Sequence, residues 1–315
     1  MRKILLTGGA GNIGSALAKG LLAEKDTAVT VVDNLSTGSL DKLPRGFENF
    51  KFIKADTNNR REMTDIMLAN NFDYVFHYAA VVGVKRTQDN PIKVLEDIEG
   101  IKNMLHLSKN SGVKRFFFSS SSEVYGEPVN IPQNEETTPL NSRVPYAVVK
   151  NVGEAFCRSF QQEYGLDYTV FRFFNTYGPH QTTDFVMSKF LVAALKNDPI
   201  TIYGDGSQTR TFCYVDDNIE ATIKALNNDL FVNDVVNIGG AEIISILELA
   251  ELIIDITNSS SEIKFLPPLE DGDMTRRQPD NSKMKEILGR KLIDLREGIQ
   301  KMLNDEEFMI LMGLK

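Results

Sequence analysis

The stretch Gly8-Gly9-Ala10-Gly11-Asn12-Ile13-Gly14 constrains this chain more than any other. Lys3 to Thr7 before it reads as a short buried strand, and Ile13, Leu17, Leu21 and Leu22 follow at helical spacing. Strand, glycine-rich turn and helix in that order make a cradle for a dinucleotide. The glycines allow a tight turn and close approach to a pyrophosphate, which sits where the first helical amides lack partners. A second strand, Ala28 to Val32, ends in Asp33, about twenty residues past the turn. A carboxylate there accepts from ribose hydroxyls and repels a 2′-phosphate, so NAD is expected in preference to NADP.

Strand-like runs recur at Phe50–Lys54, Tyr74–His77, Arg115–Ser119 and Tyr168–Phe173, with helical patterns between them. Such alternation predicts an α/β fold, a Rossmann-like doubly wound parallel sheet with helices on both faces. Pro91 to Ser111 and Tyr146 to Tyr164 read as long amphipathic helices. Beyond Asn175 turns become denser, as at Tyr203-Gly204-Asp205-Gly206-Ser207 and Leu266-Pro267-Pro268. We read residues 1–175 as an NAD-binding domain and 176–315 as mostly a smaller C-terminal substrate-binding lobe. That lobe would cover the carboxyl edge of the sheet, where open α/β folds bind ligands. Val235–Ile238 is expected to return to the main sheet.

With 315 residues, 42% of them hydrophobic, the chain can bury a substantial core. Its formal charge of −8 argues against nucleic acid as a partner. Cys157 and Cys213 are too few for a disulfide framework, and with His77, His106 and His180 they show no metal-ligand spacing. No metal is expected. No run approaches the ~20 apolar residues that span a bilayer. The N-terminus enters a strand at once, so a cytoplasmic enzyme without a membrane partner is the expectation.

Residues four apart on a helix share a face, so Tyr146 and Lys150 point into the same space. Tyrosine titrates near pH ~10, and a neighbouring cation favours the phenolate. Tyr146 is therefore expected to accept a proton near neutral pH. Tyr-x-x-x-Lys alone is common; its weight here comes from the glycine turn upstream. Ser121 sits in a run of four serines and reads either as a turn residue or as a catalytic partner.

These motifs resemble those of the extended short-chain dehydrogenase/reductase family, specifically its nucleotide-sugar epimerases, dehydratases and decarboxylases. The match runs nearly end to end. It takes in Thr7 to Gly14, Asp33-Asn34-Leu35-Ser36, Phe76-His77-Tyr78-Ala79-Ala80, Ser119 to Gly126, and the Tyr146/Lys150 pair. It continues through Arg172 to Pro179, and Gly272-Asp273 followed by Arg276 and Arg277. The resemblance implies cofactor binding by Gly8, Gly11, Asn12, Ile13, Gly14, Asp33, Asn34 and Ser36, with Asp56 and Thr57 at the adenine end. Tyr78, Ala79, Ala80, Ser119, Tyr146 and Lys150 complete that set. It implies catalysis by Ser121, Glu123, Tyr146 and Lys150, and substrate binding by Asn175, Arg210, Arg276 and Arg277. It also implies a homodimer, through a four-helix bundle made from the helices at 91–111 and 146–164. Two departures stand out: Asp97 where relatives often have asparagine, and His180 where many have arginine.

Hydride transfer from a sugar carbon needs a base for the hydroxyl, an acceptor, and a polar partner for the developing alkoxide. Tyr146, NAD and Ser121 fill those roles. Dehydratases of the family commonly have Asp-Glu after the catalytic Ser or Thr, whereas this chain has Ser122-Glu123. A serine is too weak an acid for the departing hydroxyl, so 4,6-dehydration is disfavoured. Glu123 without that acid, and Gly206-Ser207-Gln208-Thr209-Arg210, are similar to UDP-glucuronate decarboxylases. Ala147 after the tyrosine, and Val82-Gly83-Val84-Lys85 before Asn90-Pro91, look more like 4-epimerases. The expectation is 4-epimerisation of a UDP-hexose or UDP-hexuronate through a 4-keto sugar. UDP-glucuronate decarboxylation follows closely, and a catalytically silent NAD-binding regulator is the reading from another class.

Overall fold

The structure is a computed structural model describing residues 1–268 and 276–315. The first half alternates strands and helices: β1 (Arg2–Thr7), α1 (Asn12–Ala23), β2 (Thr27–Asp33), β3 (Phe50–Lys54), α2 (Arg60–Asn70) and β4 (Tyr74–His77). Then come α3 (Val84–Asp89), α4 (Pro91–Asn110), β5 (Arg115–Ser121), α5 (Pro145–Tyr164) and β6 (Asp167–Phe173). Next are β7 (Thr176–Tyr177), α6 (Val186–Lys196), β8 (Ile200–Tyr203), β9 (Thr209–Thr211), β10 (Cys213–Tyr214), α7 (Val215–Asn227) and β11 (Asp234–Ile238). The chain closes with β12 (Ile243–Ser245), α8 (Ile246–Thr257), β13 (Ile263–Leu266), α9 (Ser282–Leu288), α10 (Leu295–Asn304) and α11 (Glu306–Leu311).

Seven strands form one sheet in the order β11-β6-β5-β4-β1-β2-β3, every neighbouring pair parallel. Buried parallel strands take apolar residues on both faces, and β1 shows this residue by residue. Ile4 and Leu6 join the core under α1 and α7, while Leu5 joins the core under α2, α4 and α5. Phe117 and Phe116/Phe118 split between the same two cores in β5. The run at 235–238 does return to the main sheet: Val235 to Ile238 pair with Val170 to Phe173. The remaining strands form three two-stranded ribbons, β10-β7, β12-β9 and β13-β8.

The strand order reverses between β1 and β4, the switch point at whose carboxyl side a crevice opens in such sheets. Two helix starts aim residues into it. Gly11 caps α1, leaving that helix's first amides free of any side-chain cap. Pro145 occupies the first turn of α5, where a proline's missing amide costs nothing, and Tyr146 and Lys150 follow it. Deeper in α5, Gly153 lies against the Phe118 ring; a Cβ there would sit 2.3 Å from a ring carbon. That close approach draws Lys150 down onto β5. Among the described residues, no helix is long and apolar enough to cross a membrane.

Candidate active site

A cleft with a cavity volume of about 390 Å³ occupies the crevice. All the residues assigned above to catalysis and to cofactor binding line it. Of the four substrate residues, Asn175 and Arg277 line it and Arg210 and Arg276 do not. Arg210 is buried on β9, paired with Ile244 of β12, and its Nη1 donates to the Thr209 carbonyl at 2.8 Å. Arg276 is exposed and bridges to Thr209. Gly272 and Asp273 lie outside the described residues.

The dinucleotide end is built by close backbone approach. Gly8 has φ +72°, and a Cβ on it would lie 2.5 Å from the Ala79 amide nitrogen. A Cβ on Gly14 would lie 2.2 Å from the Gly8 carbonyl oxygen. Asp33 accepts from the Ala10 amide at 3.0 Å and the Leu35 amide at 2.8 Å, so it also ties β2 to the glycine turn. Asn34 donates to Asp56 at 3.0 Å. The side chain-free turn, the bare helix start and the acid at the strand end fit NAD. Gly8, Gly11 and Gly14 would cradle the pyrophosphate, and Asp33 would hold the ribose.

The catalytic end gathers on β5 and α5. The Tyr146 hydroxyl faces Ser121, which acts to lower its pKa, and Ser121 Oγ accepts from the Glu123 amide at 3.2 Å. Lys150 is buried, its ammonium donating to the Ser119 carbonyl at 2.7 Å and lying 3.4 Å from Ser119 Oγ. Burial pulls the Lys150 pKa down to about 8, with the Asp97 charge opposing the fall. Asp97 itself accepts from the Val81 amide at 2.7 Å, anchoring the loop after β4.

The expected lowering of the Tyr146 pKa is not found. Burial raises it well above the ordinary tyrosine value, and the Glu123 carboxylate raises it further. The ammonium is spent on Ser119 and sits 5.7 Å from the phenol ring centre, too weakly coupled to offset desolvation. In this structure the phenol is neutral. Bound NAD would bring a hydride acceptor and a positive charge to this corner.

Glu123 meets the Arg277 guanidinium at 3.0 Å, and both are largely buried. Arg277 Nε is buried without a hydrogen-bond partner among the described residues. Behind this corner Arg172 grips Glu154 through two bonds, at 2.9 and 2.7 Å, with both side chains buried. Ser120 adds a bond to Glu154 at 2.6 Å, and Tyr125 links Arg172 to Asn237 at 2.8 Å each. This network joins β5, α5, β6 and β11 beneath Ser121.

Residues 4–239 match the NAD dependent epimerase/dehydratase family, a span that reaches from β1 to the end of β11 and so takes in the main sheet. The chain belongs to that family. The members it resembles include UDP-glucuronic acid decarboxylase 1 of Danio rerio, 37% identical over 310 residues, covering 95% of this chain and 71% of the relative. Among solved structures, UDP-glucose 4-epimerase of Thermotoga maritima with UDP-glucose is 34% identical with a TM-score of 0.91, covering 98% of this chain and 99% of that one. The UDP-glucose 4-epimerase of Thermus thermophilus, in complex with NAD, is 29% identical with a TM-score of 0.89, covering 97% and 98%. This family member is thus an NAD-dependent enzyme of nucleotide-sugar type.

Three sets of contacts in and beneath the cleft were not foreseen from the sequence, although His180 itself stood out there as a departure. His180 bridges Ser15 of α1, at 2.7 Å, to Glu307 of α11, at 2.8 Å. Lys42 lines the cavity beside Asp33. Arg172 and Glu154 support the catalytic strand from below. A lone lysine in a serine-rich loop, or an arginine in a strand, carries no pattern that announces such a place.

Proposed function

We propose that this enzyme oxidises a UDP-hexuronate at C4 and releases carbon dioxide from the 4-keto sugar, the UDP-glucuronate decarboxylase reaction. The Glu123–Arg277 ion pair beside Ser121 and Tyr146 carries this reading. Arg277 offers a buried Nε–H that lacks an acceptor among the described residues, and a C6 carboxylate would complete it. Epimerising a neutral hexose needs no charged pair at the catalytic corner.

In this scheme Tyr146 takes the proton of the C4 hydroxyl while Ser121 orients that oxygen. Lys150 holds the Tyr146 end of the corner against β5. The 4-keto hexuronate is a β-keto acid: its C5–C6 bond breaks, the electron pair passes into a C4–C5 enolate, and carbon dioxide leaves. In this reading Glu123 relays a proton to C5, its ion pair with Arg277 keeping it at the catalytic corner. The relative from Danio rerio supports this reading, at 37% identity.

A second reading, 4-epimerisation, is favoured by Ala147. It is 1% exposed, so the acidic residue usual there in decarboxylases would be a buried charge in this chain. The similarity to the Thermotoga maritima epimerase points the same way. Incubation with UDP-glucuronate and UDP-glucose, read by mass spectrometry, separates the two. Loss of carbon dioxide from UDP-glucuronate is expected. Turnover of UDP-glucose to an epimer of equal mass, with UDP-glucuronate untouched, would sink the first reading.

A further inference from the structure

Five lysines and arginines with described side chains line the cleft: Lys42, Arg86, Lys93, Lys150 and Arg277. Arg86 bonds Asp184 at 3.1 Å, Lys150 bonds Ser119, and Arg277 bonds Glu123. Lys93 is exposed. Lys42 differs from all of these. It is only 7% exposed, yet its ammonium has no hydrogen-bond or ion-pair partner among the described residues.

Its place is fixed by the loop after β2. The Ser39 amide donates to the Ala10 carbonyl at 3.1 Å, and the Lys42 amide donates to the Ser39 carbonyl at 3.2 Å. Gly38 packs so closely on the glycine turn that a Cβ there would lie 2.8 Å from the Ala10 Cβ. The loop therefore carries Lys42 to the dinucleotide end of the cleft, where Asp33 and His180 are its charged or titratable neighbours. Burial pulls its pKa down, and the Asp33 carboxylate acts against that fall.

Lys42 thus carries an ammonium on a largely buried stem at the cleft wall, partly desolvated and without a protein anion, which an anionic ligand would complete. Asp33 does not: it makes no ion pair with Lys42, and its oxygens face the Ala10 and Leu35 amides. We propose that Lys42 is a phosphate-binding residue of the cofactor site, supplying the cation that meets the NAD pyrophosphate beside the start of α1. The adjacent Asp33 charge disfavours a 2′-phosphate at the same place, so the pyrophosphate is its partner. A lysine suits this task as a point charge on a flexible stem, with no demand for bidentate geometry. His180, tied to Ser15 and Glu307, has both ring nitrogens occupied and leaves the role to Lys42.

The test uses the full chain freed of nucleotide and titrated with adenosine, ADP and NAD by calorimetry. Lys42→Met is expected to bind adenosine as the wild type does and to bind ADP and NAD at least tenfold more weakly. Lys42→Arg should recover most of the ADP affinity. Thermal melting adds a readout that a packing role would move the other way. Nucleotide-free Lys42→Met should melt above the wild type, because the unpaired charge is gone, and gain less from ADP. Unchanged ADP binding, an equal loss for adenosine and ADP, or a lower melting temperature without nucleotide would each overturn the proposal.

Discussion

Glu123 and Arg277 stand 154 positions apart in sequence and 3.0 Å apart in space, and they close the catalytic corner from distant parts of the chain. If the pair serves a hexuronate, Arg277→Ala should cut kcat/KM for UDP-glucuronate by 10²-fold or more. Any residual action on UDP-glucose should change by less than tenfold. Charge-assisted contacts of this kind are worth ~1.5–3 kcal/mol. Arg210→Ala, which alters a residue outside the cleft wall, is expected to affect both sugars alike. Selective loss for UDP-glucuronate in Arg210→Ala, with none in Arg277→Ala, would exchange their assignments.

Tyr146→Phe removes only the hydroxyl from a helix start whose packing is otherwise unchanged. Turnover should fall ~10²–10⁴-fold, with NAD still retained on gel filtration. Absorbance near 340 nm after substrate addition reads bound NADH directly. Turnover within tenfold of wild type would remove Tyr146 from the chemistry.

The alkaline limb of the activity profile should follow Lys150. Its pKa is about 8 against an ordinary 10.5, so its positive charge is lost as pH rises through about 8 and kcat/KM should fall there. Asp97→Asn keeps an acceptor for the Val81 amide but removes the charge that raises the Lys150 pKa. The limb should therefore move to lower pH. Stability has the opposite sign. Between about 8 and 10.5 the unfolded chain binds the proton that folded Lys150 has released, so this residue's destabilising contribution fades as pH rises through that window. Profiles of wild type and Asp97→Asn with coincident alkaline limbs would reject the coupling.

Glu154→Gln leaves the buried Arg172 guanidinium facing a neutral amide. Breaking one side of a buried, hydrogen-bonded pair costs about 3–5 kcal/mol, which urea denaturation should show. A loss under ~1 kcal/mol, the range of exposed pairs, would mean that water reaches the site.

Helices α4 and α5 lie side by side and leave Ile92 72%, Leu95 38% and Val148 36% exposed. Covering them with the same helices of a second copy gives the four-helix dimer implied by the sequence resemblance. Sedimentation at micromolar concentration should give a dimer for the wild type and a monomer for Leu95→Asp. A wild-type monomer would refute it.

The strands were readable because buried parallel strands write themselves as apolar runs, and even β11 announced its return through Val235 to Ile238. The glycine turn was readable because its spacing is local. Distant placement was not. Arg210 follows a glycine-rich turn and looked exposed to ligand, yet the pairing of β9 with β12 buries it outside the cleft. Arg276 and Arg277 are neighbours that the backbone sends in different directions, one to solvent and one to Glu123. The Tyr146 pKa failed for a related reason: helical spacing predicts who is near, but desolvation depends on everything packed around the pair.

The lateral pairing of β11 on β6 bears on how the protein is made. A ribosome that has released residues 1–175 has supplied the whole glycine turn, Asp33, Tyr146 and Lys150, yet β6 still has a bare edge along Val170 and Phe171. Unpaired apolar edges recruit other chains. Expression of the first 175 residues alone should therefore yield aggregates, and a nascent chain stalled there is a client for a chaperone until Asp234 to Ile238 arrive.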